Sequence, residues 1–280
     1  MYMGLEEQRR AFGRRMAANV YEGEDSPIAW LFASTPREAF VGPPPWRIFG
    51  EREDGGDWVD DPAFLYQDVL VQLKGEAAIN NGQPSLHALC LAALGIKAGE
   101  TVVHVGAGTG YYTSMLGSLV GSEGRVEAYE IESDLAWRAA ENLRGIPWVR
   151  VHSGSGTAGP LPECDVVYVS AGATSPLPVW LDALRMGGRL LFPLTPNEGY
   201  GGMLLVKRFA EGYAARFLCG AKFVGCVGAR DAAQEARVAE CFRRGNAGKV
   251  RSLWRDDAPD ETAWCVGDGW WLSTRGLGRP

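Results

Sequence analysis

The chain has little of what marks a metal or disulfide framework. It carries three histidines in 280 residues, and its six cysteines (Cys90, Cys164, Cys219, Cys226, Cys241, Cys265) include no Cys-x-x-Cys pair. Without close Cys/His spacing no zinc site is expected and no metal is called for. The thiols are expected to be free and buried in a reducing cytoplasm. No run approaches eighteen consecutive apolar residues, which argues against a transmembrane helix and a membrane partner. The first twenty residues carry Glu6, Glu7, Arg9, Arg10, Arg14 and Arg15, so a signal-peptide core is also missing and a cytoplasmic location is expected. Basic excess is absent too: 28 Lys and Arg stand against 34 Asp and Glu, a net charge of −6. That balance argues against a nucleic-acid partner. The cluster Arg243, Arg244, Lys249, Arg251 and Arg255 reads as a solvated helix end.

What is present is alternation. Strands are predicted at 101–105, 125–130, 148–152, 165–170 and 189–194, with helices at 111–120, 133–143 and 176–185 between them. Such β/α order implies an α/β fold, a doubly wound Rossmann-like sheet covered by helices on both faces. Before it lie helices at 4–20 and 27–35, an acidic loop at 50–62, an extended stretch at 65–73 and a helix at 85–94. After Pro196, strands at 203–209 and 213–217 suggest a terminal antiparallel strand pair. A helix at 231–244 and a hairpin of 250–255 with 262–274 follow. The division expected is an N-terminal helical and loop region (1–75), a cofactor-binding core (76–219) and a C-terminal extension (220–280). The tryptophans of that extension suit core packing, with a homodimer surface as the alternative.

The richest segment is Val102-Val103-His104-Val105-Gly106-Ala107-Gly108-Thr109-Gly110, with Glu130 twenty residues on at the end of the next strand. A strand enters a glycine loop, a helix follows, and a second strand ends on an acid. Glycines let the backbone approach a nucleotide-like ligand closely. An acid placed like Glu130 can accept from both ribose hydroxyls. The spacing is G-x-G-x-G, and Tyr111 breaks the dinucleotide form G-x-G-x-x-G.

This version resembles the loop of S-adenosylmethionine-dependent methyltransferases. Three further segments narrow the likeness. Thr35-Pro36-Arg37-Glu38-Ala39-Phe40-Val41, Gln83-Pro84-Ser85-Leu86-His87-Ala88 and Gly154-Ser155-Gly156-Thr157-Ala158-Gly159 are similar, in order, to segments of the protein-L-isoaspartate O-methyltransferases. The resemblance runs from about residue 5 to about residue 209. It implies S-adenosylmethionine as cofactor, S-adenosylhomocysteine as product, and cofactor contacts at Gly106, Ala107, Gly108, Gly110, Tyr111, Glu130, Ile131, Ser155, Gly156 and Ser170. Two departures stand out. Asn80-Asn81-Gly82 replaces the family's Thr-Ile-Ser, whose serine lies close to the methyl-transfer site. Ser155 replaces an aspartate that accepts from the adenine amino group. A serine oxygen still accepts, without the charge.

The activity implied is O-methylation of a carboxylate, in an isoaspartyl or aspartyl residue of a protein or peptide. A carboxylate is already ionised at pH 7 and needs no general base, whereas a hydroxyl or amine acceptor would gain from one. The base candidates are Asp68 and His87; a solvated loop acid and a structural hydrogen bond are their plainer readings. Asn80, Asn81 and Gln83 could grip an acceptor through their NH₂ groups or merely precede the helix as caps. Tyr111 either shapes the cofactor pocket or packs on the helix at 133–143. The rewritten Asn80-Asn81-Gly82 favours a dedicated small-molecule or peptide natural product over general repair. A transfer-RNA adenine methylase and a non-catalytic cofactor-binding protein remain as alternatives.

Overall fold

A computed structural model describes residues 4–50, 56–75 and 79–278. Helix α1 spans Leu5–Ala18 and α2 spans Pro27–Ser34, where Pro27 opens the first turn and Ser26 Oγ accepts the Ala29 N–H at 3.2 Å. Strands β1 (Trp46–Phe49), β2 (Asp57–Val59) and β3 (Leu70–Val71) follow. Next come α3 (Pro84–Leu94), β4 (Thr101–Val105), α4 (Tyr111–Val120), β5 (Arg125–Glu130), α5 (Ser133–Leu143) and β6 (Val149–Ser153). Then come β7 (Cys164–Val169), α6 (Pro178–Asp182), β8 (Leu184–Leu194), β9 (Gly201–Phe209) and β10 (Gly212–Ala221). Helix α7 (Ala232–Arg244) and strands β11 (Ser252–Arg255), β12 (Ala263–Gly267) and β13 (Trp270–Ser273) end the chain. The predicted β/α alternation is present. No described helix is long and apolar enough to cross a membrane.

The chain forms two compact units. The first comprises Met1–Gly99 with Ala107–Ser153. In it, α1 meets α2 backbone to backbone: a Cβ on Gly13 would lie 2.2 Å from the Ala29 carbonyl oxygen. Phe12 sits edge-on to Phe32 at 5.7 Å and to Tyr66 at 5.6 Å. Strand β1 pairs antiparallel with both β2 and β3, over a core of Val41, Trp46, Ile48, Leu65, Val69 and Val71. Strands β5 and β6 run parallel, and α5 buries Leu135, Ala136, Ala139 and Leu143, one face at helical spacing.

The second unit comprises Glu100–Gly106 with Gly154–Pro280. Its strand order is β12-β13-β11-β10-β9-β8-β7-β4. Strand β7 is parallel to β4 and β8, and every pairing from β8 onward is antiparallel. All five β4 residues are buried, as a central parallel strand requires. Trp264, Trp270 and Trp271 are buried, so these tail tryptophans pack in the core.

Several sequence expectations need correction. The terminal antiparallel element is a run of five strands, because β11, β13 and β12 continue the sheet beyond β9 and β10. The last hairpin is β12–β13, closed by Asp268 and Gly269 (φ +74°), a two-residue turn that splits 262–274; β11 pairs with β13 and β10 instead. Of the acidic loop at 50–62, Asp57–Val59 is strand β2, and residues 51–55 lie outside the described residues. The stretch 65–73 is extended only at β3; Pro62–Tyr66 is a 3-10 turn whose start Asp61 caps by accepting the Ala63 N–H at 2.9 Å. The helix expected at 176–185 ends at Asp182, because Leu184 already pairs with Cys164 in the sheet.

Candidate functional site

In the first unit the glycine loop is held by backbone contacts that tolerate no side chain. Ala107 N donates to the Tyr129 carbonyl at 3.1 Å, and Gly110 N to the Ala107 carbonyl at 2.9 Å. Gly110 has φ +93°, and a Cβ there would lie 2.8 Å from Leu143 Cδ1. Gly108 (φ +57°) donates its N–H to Glu130 Oε2 at 2.7 Å. The Glu132 N–H reaches Glu130 Oε1 at 2.9 Å. Glu130 is 6% exposed, and burial pushes its pKa above the ordinary carboxylate value against the opposing pull of these backbone donors. The acid is therefore a strut of the loop, with further lone pairs on both oxygens. Ile131 beside it is 44% exposed. Tyr111 is buried, edge-on to Phe40 at 5.5 Å, and its hydroxyl has no partner among the described residues.

The acceptor-side candidates of this unit all carry structural contacts. Asp68 accepts from Gln83 Nε2 (2.8 Å), Ser85 N (2.8 Å) and Ser85 Oγ (2.6 Å), which makes it the cap of α3 supplied from a distant segment. The carboxylate is exposed and tied to the start of that helix. His87 is buried and stacks on Tyr112 at 3.6 Å and 5°. Gly82 (φ +74°) lies over that imidazole, and a Cβ on it would fall 2.2 Å from His87 Nε2. Asn80 Oδ1 accepts the Gly82 N–H at 2.9 Å, closing a turn. Asn81 is buried; its Oδ1 accepts from Val71 N (3.0 Å) and Arg37 Nη2 (3.1 Å), and its Nδ2 has no partner among the described residues.

Arg37, noticed in the sequence only as part of a signature, organises this region. Its side chain is fully buried, and Nη1 donates to the Leu65 (2.6 Å) and Gln67 (3.2 Å) carbonyls while Nη2 also reaches the Val69 carbonyl (2.5 Å). Glu38 bonds both Arg9 and Tyr66, and the Tyr66 hydroxyl accepts the Arg37 backbone N–H at 3.1 Å. Lys74, also missed, bridges Glu132 and Asp134 next to Glu130. Neither role has a local sequence signal, since the partners lie 28 to 60 residues away.

In the second unit Gly106 (φ +81°) packs on the Ser170 backbone, 3.4 Å from where its Cβ would be. Ser170 Oγ pairs with His104 Nε2 at 3.0 Å. His104 is buried and lies parallel to the Tyr168 ring; burial pushes its pKa down to about 3, so the ring is neutral. His104 thus packs within the sheet and makes one polar contact there. Ser155 Oγ lies 2.7 Å from Thr157 Oγ1 and accepts the Thr157 N–H at 3.1 Å. The Gly156 carbonyl accepts from the buried Trp180 Nε1 at 2.9 Å. Among the described residues no group of His, Cys, Asp and Glu could hold a metal ion.

Residues 51–230 match the family model for Protein-L-isoaspartate(D-aspartate) O-methyltransferase. The chain belongs to this family. Among curated relatives, the protein-L-isoaspartate O-methyltransferase of Ignicoccus hospitalis is 28% identical over 224 residues, 79% of this chain and 97% of that protein. Protein-L-isoaspartate O-methyltransferase 2 of Pelobacter propionicus is 31% identical over 211 residues, 73% of this chain and 84% of its own. A solved protein-L-isoaspartate O-methyltransferase superposes with a TM-score of 0.65 at 19% identity, covering 96% of this chain and 87% of its own. The Plasmodium falciparum structure, in complex with S-adenosyl-L-homocysteine, gives 0.61 at 18% identity, covering 79% and 98%. The fold is thus the Rossmann-like methyltransferase fold, and the chain is an S-adenosylmethionine-dependent methyltransferase. Its residues fit that cofactor. The loop at Gly108 and Gly110 has left-handed backbone that L side chains rarely adopt, and Glu130 is a buried acceptor fixed at the loop's edge.

Proposed function

We propose that the enzyme transfers the methyl group to a carboxylate, that of an isoaspartyl or aspartyl residue in a peptide or protein. One observation carries this reading: both base candidates hold the structure together. Asp68 caps α3 through three donors, and His87 is buried in a stack under Gly82. With both engaged in holding the structure, the acceptor best served is one that arrives ionised. The cofactor supplies a methyl group already activated on a sulfonium, and its transfer to an oxygen anion moves no proton. The work left to the protein is alignment and exclusion of water. In the first unit Glu130 holds the ribose hydroxyls through its remaining lone pairs and the backbone of Gly108 and Gly110 admits the ligand closely. In the second unit, by the family resemblance, Ser155 accepts from the adenine amino group.

The test is a methyl-transfer assay on isoaspartyl peptides beside their aspartyl counterparts. Base-labile methyl ester with matching release of S-adenosylhomocysteine is the expected product. Base-stable methylation, or none despite cofactor binding, would overturn it. A second reading, a carboxylate on one dedicated peptide or small molecule, draws support from Gly82. The family's serine side chain has no room at this position, because His87 occupies the space. Turnover of a single acceptor with none on general isoaspartyl peptides would favour it.

A further inference from the structure

The turn that follows β6 contains two hydroxyls that form a chain with a backbone carbonyl. Thr157 Oγ1 has one hydrogen, and the Val227 carbonyl at 3.1 Å, which can only accept, is bonded when Thr157 donates to it. The arrangement that satisfies all three groups then has Ser155 as the donor at its 2.7 Å contact with Thr157 Oγ1. Thr157 returns its backbone N–H to Ser155 Oγ at 3.1 Å. A hydroxyl has one proton and two lone pairs. In that arrangement Ser155 is left with no proton to offer and one lone pair to receive with.

The carbonyl that sets this polarity is built in. Gly172 N donates to the Val224 carbonyl at 2.8 Å, Cys226 N to the Gly172 carbonyl at 2.8 Å, and Thr174 N to the Ala229 carbonyl at 3.0 Å. These bonds fasten residues 224–229 to the chain just after β7. Gly228 has φ +83°, and a Cβ on it would lie 2.3 Å from Thr157 Oγ1. Only glycine lets the segment approach closely enough to take the threonine proton.

We propose that the Val227 carbonyl, acting through Thr157, holds the Ser155 hydroxyl as a pure acceptor, so that this neutral side chain selects a 6-amino over a 6-oxo purine. Thr157 is then a positioning residue, and the segment 224–229 governs cofactor specificity. This rests on the reading above that Ser155 accepts from the adenine amino group. With the relay removed, Ser155 regains a free proton and can donate to a 6-oxo group.

Calorimetry on the full chain with S-adenosylhomocysteine and S-inosylhomocysteine tests it, with thermal denaturation as a check on folding. Wild type is expected to prefer the adenosyl ligand by about tenfold or more, the scale of one well-made hydrogen bond. Thr157→Val should narrow the ratio to within about threefold, and Gly228→Ala, which pushes Thr157 aside, should narrow it too. Thr157→Ser should keep it. A ratio that is unchanged in folded Thr157→Val overturns the relay. A wild-type ratio near one overturns the role given to Ser155. Failure of wild type to bind either ligand would sink the cofactor placement itself and the proposal with it. General loss of fold weakens both ligands together and leaves the ratio where it was.

Discussion

Changing Glu130 to glutamine separates two duties carried by one carboxylate. The side chain is 6% exposed and takes the Gly108 N–H at 2.7 Å on one oxygen and the Glu132 N–H at 2.9 Å on the other. Glutamine has the same shape but only one oxygen, so one of these N–H groups must face an NH₂. Losing a buried hydrogen bond costs about 1–3 kcal/mol. Burial works the other way: it raises the Glu130 pKa, so the ionised form is disfavoured in the folded state and the neutral amide escapes that cost. A raised folded pKa contributes stability that is present at low pH and lost as pH rises through it. Above the raised pKa wild type has lost that contribution, and the Glu130→Gln deficit should be at most about 2 kcal/mol, a fall in Tm of a few degrees at this chain length. As pH falls into the carboxylate range wild type regains the contribution and the variant does not, so the deficit should widen. Cofactor affinity responds differently. If the remaining lone pairs hold the ribose hydroxyls, loss of a charged acceptor costs about 1.5–3 kcal/mol, or about 10- to 150-fold in Kd. Calorimetry with S-adenosylhomocysteine and melting curves at two pH values measure both. A lowered Tm with unchanged Kd would refute the ribose role and leave Glu130 as a strut alone.

Other outcomes follow from the same contacts. Gly110→Ala places a Cβ 2.8 Å from Leu143 Cδ1 at φ +93°; it should destabilise by about 1–3 kcal/mol and weaken cofactor binding, both visible in urea and ligand titrations. Arg37→Met removes the guanidinium donors from the Leu65, Gln67 and Val69 carbonyls and leaves Asn81 Oδ1 with Val71 N alone; a loss of about 3–5 kcal/mol is expected on chemical denaturation, and a change under 1 kcal/mol would count against its organising role. His104, its pKa depressed to about 3 by burial, adds stability that is present above its ordinary pKa of about 6.5. That stability is lost as pH falls toward 3, at about 1.4 kcal/mol per pH unit. His104→Gln should remove this share of the acid sensitivity between pH 6 and 4, and parallel wild-type and variant curves would contradict it.

The parts that were legible in the sequence are those whose signals are local. The glycine loop, the strand before it and Glu130 at the end of the next strand are written within thirty residues, because φ-positive turns and strand periodicity are short-range constraints. The hairpin turn at Asp268 and Gly269 was equally local and was overlooked in favour of a longer strand. What could not be read were partners. Asp68 looks like any loop acid until Gln83 and Ser85 are found on it, and Arg37 like a signature residue until its guanidinium is seen on Leu65, Gln67, Val69 and Asn81. The relay from Ser155 through Thr157 reaches seventy residues on, to Val227, where no motif announces it.

The acceptor segment shows most clearly why a substitution must be read with its neighbours. As a string, Asn80-Asn81-Gly82 looks like three losses of a family pattern. In the fold, each residue has a partner: Asn80 closes the turn onto Gly82 N, Asn81 meets Arg37 and Val71, and Gly82 makes room for His87. Gly82 and His87 are therefore sterically coupled. A serine returned to position 82 alone would carry its Cβ into the imidazole at a positive φ, and so would damage the segment without recovering the hydroxyl. Paired with His87→Ala, the steric half of that damage should disappear, leaving only the backbone strain. Stability of the two single variants and the double variant, taken as a cycle, should show coupling of about 1–3 kcal/mol, and strict additivity would mean that the two positions do not interact.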